Sequence, residues 1–153
     1  SVSLRFGMVL SREGGALAKM FPLFKLGLGG PLGRGNQFVS WVSLLDALSA
    51  IRFALQQDSL EGAVNVCSPF PVTNDEFTQI LARSLNRPAR IRVPASILRL
   101  FLGEMSQELL LNSVRAQPGK LLEHGFAFEH PRLEDALTKG GLLSTLEPSD
   151  LVK

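Results

Sequence analysis

Gly27, Gly30 and Gly33 stand three residues apart in Gly27-Leu28-Gly29-Gly30-Pro31-Leu32-Gly33, the spacing with which some loops lay backbone amides around a pyrophosphate. That chemistry needs a buried strand running straight into a helix. Here the glycines do not join a strand to a helix, Pro31 removes a donor from the middle, and no Lys-Ser/Thr pair ends the run. The stretch reads as a plain loop. Two arginines could still meet an anion: Arg34 at the end of this loop, and Arg115, whose planar guanidinium can grip a phosphate with two hydrogen bonds. Each has a structural alternative, solvation for Arg34 and a salt bridge for Arg115.

Proton-transfer and metal chemistry are poorly served. The chain of 153 residues contains no tyrosine, and no other side chain stands out as a general acid or base, so no catalytic residue is assigned. His124 and His130 lie near Glu123 and Glu129 without forming a recognised ligand pattern, and no metal site is expected. Cys67 is the single cysteine, with no histidine near it in sequence, and reads as an inert buried thiol. A lone cysteine fits a reducing compartment, and a soluble cytoplasmic protein is the expectation. A formal charge of +2, with the basic residues scattered, argues against a nucleic-acid partner. The longest apolar run, Ile97 to Leu102, is broken by Arg99 and too short to span a membrane.

The elements that would position these groups follow from periodicity. Val2 to Leu10 reads as one strand, apolar on both faces apart from Ser3 and Arg5, as in a parallel sheet covered on both sides. A short helix over Ala16 to Phe24 places Leu17, Met20, Phe21 and Phe24 on one face, and Gln37 to Val42 adds a short strand. Ser43-Leu44-Leu45-Asp46 reads as a capping box opening a helix to about Gln57, with an apolar stripe of Leu44, Leu48, Ile51 and Leu55. A strand over Ala63 to Cys67 follows, with Asn65 held by structural hydrogen bonds. Thr73-Asn74-Asp75-Glu76 is a second capping box, before a helix that buries Phe77, Ile80, Leu81 and Leu85. Further on, the pattern predicts a strand at Arg90 to Val93 and a helix from Pro94 to Gly103. Glu104 to about Asn112 and Pro118 to His124 should also be helical, the latter stopped by Gly125. A small strand at Phe126 to Phe128, a helix after Pro131 and a frayed tail complete the chain.

Several blocks together resemble the second half of an atypical extended short-chain dehydrogenase/reductase of the epimerase-like group. They are Arg5-x-Gly7-x-Val9-Leu10, the loop from Gly14-Gly15 to Gly33, Gly62-x-Val64-Asn65-Val66, and Pro118 leading to Leu122-x-x-Gly125-Phe126-x-Phe128 and Leu133-Glu134-Asp135-Ala136-Leu137. The resemblance covers roughly residues 4 to 138. It implies an α/β fold: the C-terminal part of a Rossmann-type parallel sheet over 1–68, a small α+β substrate-side domain over 69–140, and a tail over 141–153. It implies NAD(P) in the complete enzyme, with Phe6, Gly7, Met8 and Val9 nearest the nicotinamide at the end of the first strand. Gly7 would let a ring approach the backbone. Gln37 and Trp41 fall where the family lines its substrate cleft, although Trp41 could equally be core.

Two family features are missing. The strand-to-helix glycine loop and the Tyr-x-x-x-Lys pair have no place here, so this chain by itself should bind no cofactor and turn over no substrate. Where relatives commonly read Trp-Ile-His-Ile-Asp-Asp, this chain has Trp41-Val42-Ser43-Leu44-Leu45-Asp46. The expected function is thus the substrate-binding half of an NAD(P)-dependent epimerase/dehydratase-like oxidoreductase, partnered by an N-terminal Rossmann half and a small-molecule, nucleotide-sugar-like substrate. The alternative is a non-catalytic binding or interaction module derived from the same fold. Self-association through Val2 to Leu10 is expected of an uncovered sheet. Convergence of Met8, Gln37 and Arg115 on one surface is expected of a substrate half.

Overall fold

The computed structural model describes residues 1–11, 20, 22, 24, 30–31, 35–86, 96, 100, 103 and 115–138. The apolar run at its start does not form one strand. It is divided at Gly7 into β1 (Val2–Phe6) and β2 (Met8–Leu10), because its two parts have different neighbours. β1 pairs in parallel with β5 (Gly62–Val66), from Val2 opposite Gly62 to Phe6 opposite Val66. β2 pairs in parallel with β4 (Trp41–Ser43). The β1/β5 pair therefore opens like a fork, and β4 enters the gap. The Gly7 N–H still donates to the Val66 carbonyl (3.0 Å), the Met8 N–H to Ser40 (2.7 Å), and on the other tine the Ser68 N–H to Trp41 (2.7 Å).

Alternation along these strands divides the interior in two. Val9 and Val42 join Val64, Val66, Ala47 and Ala50 on the sheet side, whereas Leu10 and Trp41 join Phe77, Leu81, Leu133 and Leu137 on the other. Met20 and Phe24 are buried in that second cluster as well. Both cores take residues from either side of residue 68. On β1, Val2 and Leu4 are half-buried while Ser3 and Arg5 are exposed, so only one face of this strand is covered, where the sequence predicts cover on both.

α1 (Leu44–Gln56) begins at Ser43, whose Oγ accepts the Asp46 N–H at 3.1 Å. Its buried side is Asp46, Ala47 and Ala50, and the small alanines let the helix lie close to the sheet. The stripe of Leu44, Leu48, Ile51 and Leu55, the face a helical pattern assigns to a core, points to solvent.

α2 (Asn74–Ser84) carries a complete capping box: Thr73 Oγ1 accepts the Glu76 N–H (3.2 Å) and Glu76 Oε2 accepts the Thr73 N–H (2.9 Å). Its predicted face of Phe77, Ile80 and Leu81, with Leu85 just beyond, is buried. The short strand β3 (Phe38–Val39) pairs antiparallel with β6 (Val72–Thr73) in front of it, a pair the periodicity does not reveal. Carbonyls of Gln37 and Gly35 accept the Asn74 and Asp75 N–H groups, both at 2.8 Å, so the end of the glycine-rich loop is clamped on the first turn of α2.

Gly35 has no substitute in this clamp. Its φ of +78° suits glycine, and a Cβ there would overlap the Asp75 carboxylate. Gly35→Ala should lower stability by about 2–3 kcal/mol, from left-handed strain plus the clash. Urea unfolding checks this, and adding Asp75→Ala should restore the clash portion only. A full-strength Gly35→Ala variant would contradict the clamp.

α3 (Gly119–Glu123) ends where Gly125 takes φ +85°. Phe126 to Phe128 is not the predicted strand. Phe126 turns its N–H to Leu121 (2.9 Å) and packs edge-on against Phe53 (5.3 Å) and Phe128 (4.8 Å), an aromatic plug over the sheet core instead of a strand beside it. α4 (Leu133–Thr138) buries Leu133, Ala136 and Leu137 against the α2 side, as the pattern predicts. The strand predicted at 90–93, the helix at 104–112, most of the helices at 16–24 and 94–103 and the tail lie outside the described residues.

Candidate functional site

The mouth of the fork is closed by three segments that meet at Ser40. Its carbonyl holds the Met8 N–H, and its Oγ accepts the Ala116 N–H at 3.0 Å. One residue on, the Gln117 carbonyl accepts from Asn65 Nδ2 at 3.3 Å. Residues 115–117 thus cross from the β3–β4 link to β5 like a strap. Just before the strap's first bond, the exposed Arg115 guanidinium lies over the Phe38 ring, 5.0 Å from its centre. Gln37, buried beside Phe38, holds α2 through its carbonyl. Met8 and the segment after Arg115 thus meet at Ser40, whereas the Gln37 carbonyl is turned to Asn74 on α2. Ser40 is the hub, and its sequence gave no signal beyond its place between two strand fragments.

The Phe6 ring, 43 % exposed, stands at the carboxyl end of β1, and Met8 and Val9 are half-buried behind it. Gly7 is glycine for a reason other than ring access: a Cβ there would lie 2.6 Å from the Ser40 carbonyl oxygen and 3.3 Å from Cys67 Cβ. The strand that wedges into the fork takes that space.

Trp41 differs from the cleft position implied for it. It is completely buried, and its Nε1–H donates to the Phe70 carbonyl at 3.1 Å. Its bulk fills the core under the site, and no face is left for a ligand. Arg34 lies outside the described residues. Asn65 makes the structural bond expected of it. The partner found for Arg115 among the described residues is the Phe38 ring, which steadies the guanidinium.

Asp46 lends its backbone N–H to the Ser43 cap, but its carboxylate does not close the predicted capping box. Its two carboxylate oxygens accept the N–H groups of Glu129 (2.9 Å) and His130 (3.0 Å), so the buried acid ties α1 to the segment before α4. Ser68 supports the same segment by donating to the Pro131 carbonyl while accepting the Phe70 N–H. Cys67 is buried, and burial pushes its thiol up to about 11, which leaves it protonated and unreactive at neutral pH. Among the described residues no three His, Cys, Asp or Glu side chains come together to hold a metal, and no helix is long and apolar enough to cross a membrane.

A separate groove of about 430 Å³ runs between α2 and α4. Arg132, stacked 4.7 Å over Phe70, and Arg83 line it together with the carboxylates of Asp75, Glu76 and Glu134. This mixture of charge selects neither anion nor cation.

Residues 93–139 match a family described as a domain of unknown function, DUF1731. An epimerase family protein of Mycobacterium bovis is 46% identical over 136 residues, which are 89% of this chain and 45% of that protein. The structure of the human epimerase family protein SDR39U1 (isoform 2) with NADPH superposes with a TM-score of 0.82 at 35% identity, over 90% of this chain and 47% of that one. A nucleoside-diphosphate sugar epimerase from Corynebacterium glutamicum shares the fold, with a TM-score of 0.65 at 23% identity over 98% of this chain and 31% of that one. The chain spans a little under half the length of the curated relatives it matches, and it corresponds to the C-terminal part of such epimerase family proteins, with an α/β, Rossmann-type fold.

Proposed function

We propose that this chain is the substrate-side half of an NAD(P)-dependent, epimerase- or dehydratase-like oxidoreductase. Residues 1–68 complete the Rossmann-like sheet and residues 69–140 form the small substrate-side domain. What supports this reading is the meeting of Met8 and the 115–117 strap at Ser40, just beyond the carboxyl ends of the parallel β1 and β5, where open α/β sheets take their ligands. The similar human protein was solved with NADPH.

The residues at the end of β1 fit the nicotinamide end of such a cofactor and no more of it. Phe6 offers an exposed ring, whereas the N–H groups of Gly7 and Met8 are already given to Val66 and Ser40. Phe6, Gly7, Met8 and Val9 therefore provide apolar contact, and the phosphates are held by the N-terminal half. When bound, the nicotinamide supplies the hydride-transferring ring. Arg115, steadied on Phe38, and Gln37 orient a small anionic substrate of the nucleotide-sugar kind, with Arg34 as a further cation. Trp41 positions this wall from beneath. No proton transfer is assigned to this chain; a tyrosine in the other half performs it.

Calorimetry with NADPH tests the reading. The chain alone should bind NADPH no more tightly than about 1 mM, and the assembly with its N-terminal half should bind it far better. In that assembly Arg115→Ala should weaken substrate binding about 10- to 100-fold while leaving NADPH affinity unchanged. Tight NADPH binding by this chain alone would overturn the proposal.

A further inference from the structure

Ala116 follows Arg115 directly, so its N–H lies in the same planar peptide unit as the Arg115 Cα and carbonyl. That N–H donates to Ser40 Oγ at 3.0 Å, across 76 positions of sequence. Further along the strap the Gln117 carbonyl, coplanar with the Pro118 nitrogen, accepts from Asn65 Nδ2 at 3.3 Å. The peptide plane that leaves Arg115 and the plane that enters Pro118 are therefore each pinned by a side chain. Beyond them Pro118 is buried and opens α3, whose Leu121 is wholly buried in the sheet core.

Both anchors stand on backbone that is itself fixed. Ser40 is buried, and its carbonyl takes the Met8 N–H. Asn65 lies within β5, in register with Arg5 of β1. Arg115, in contrast, is exposed, and its guanidinium rests over the Phe38 ring, 5.0 Å from the centre. The ring holds the far end of a long, flexible side chain. The hydrogen bonds of Ser40 and Asn65 hold its near end. Gripping an anion with two parallel N–H groups needs both ends in place, because such a grip depends on direction as well as charge.

We infer that Ser40 and Asn65 are positioning residues, which set the 115–117 strap so that the Arg115 guanidinium meets a phosphate of the substrate, while neither touches the substrate itself. The inference rests on the proposed substrate-side function, in which Arg115 meets the anion, and adds what holds Arg115 there. Ser40 serves the two sides of the site with different atoms, its carbonyl toward Met8 and its Oγ toward the strap. Removing the side chain therefore releases the strap and leaves the acceptor for Met8 intact.

Calorimetry tests this on the assembly of the chain with its N-terminal half, with UDP as the probe. Ser40→Ala and Asn65→Ala should each weaken UDP binding about three- to tenfold and leave NADPH affinity unchanged. In an Arg115→Ala background the same changes should weaken UDP by less than about twofold, since no guanidinium is left to place. Hydrogen exchange reads the strap directly: in Ser40→Ala the Ala116 amide should exchange at least about tenfold faster, with the Met8 amide unaltered. If Ser40→Ala does not assemble, Asn65→Ala decides through the same cycle. Equal losses with and without Arg115 would make the two side chains merely structural and overturn the inference. Unchanged UDP affinity in both single variants overturns it as well, and in either case the proposed function stands. UDP binding that survives Arg115→Ala undiminished removes the substrate role of Arg115 and the inference with it. An unsubstituted assembly that binds NADPH but no UDP removes the proposed substrate class and the inference together.

Discussion

Trp41→Ala should lower the unfolding free energy by about 3–5 kcal/mol, among the largest effects of any single change in this chain. The indole is wholly buried, and it sits at the junction where β4 enters the fork between β1 and β5. Its removal would open a cavity against Leu10, Phe77 and Leu137 and leave the Phe70 carbonyl without its donor. Trp41→Phe keeps most of the bulk and loses the hydrogen bond, so it should cost only about 1–2 kcal/mol. The pair separates packing from hydrogen bonding. Denaturant midpoints with unchanged slopes are the readout, and equal losses for both variants would show that the bond to Phe70, not the volume, holds the wedge in place.

Asp46→Ala should cost about 3–6 kcal/mol, because hydrogen bonds to a charged acceptor contribute about 1.5–3 kcal/mol each and two are lost. The Glu129 and His130 amides would then have no acceptor at that position, and the segment leading into α4 would loosen. Ser43 would still cap α1, since the bond from the residue 46 amide to Ser43 Oγ uses backbone N–H. Asp46→Asn keeps one acceptor oxygen and should retain about half of the loss. Hydrogen exchange of the 129 and 130 amides locates the effect: they should become the most accelerated amides in the Ala variant. If the amides within α1 accelerate instead, the acid acts mainly on the helix start.

Much of the local structure was legible because it depends on short-range rules. Thr73 and Glu76 formed the capping box that their spacing dictates, the face of Phe77, Ile80 and Leu81 was buried, and α4 buried Leu133, Ala136 and Leu137. The same rules misled at α1. A helical stripe of leucines and isoleucine predicts a core face, and the pattern is real. The stripe is exposed all the same, and two alanines occupy the inner side. Phe126 and Phe128 read as strand by composition, yet among the described residues no strand edge meets them, and the Phe126 ring packs on Phe128 and on Phe53. Arg115 read as half of an ion pair and found an aromatic ring.

The order of residues by itself determined the family resemblance, the class of the fold, the helix starts at Ser43 and Thr73, and the absence of a proton-transferring tyrosine. Those are matters of identity and near-neighbour spacing. Only the tertiary structure decided that the first apolar run breaks at Gly7, that Gly7 is small for Ser40 and Gly35 small for Asp75, and that Trp41 lies under the site instead of facing it. It also decided that Asp46 reaches residues more than eighty positions away. Each depends on which distant backbone comes within hydrogen-bonding or van der Waals reach, and periodicity along a chain holds no record of that distance. The fork between β1 and β5 sets those approaches, and it exists only once three separate segments have come together at Ser40.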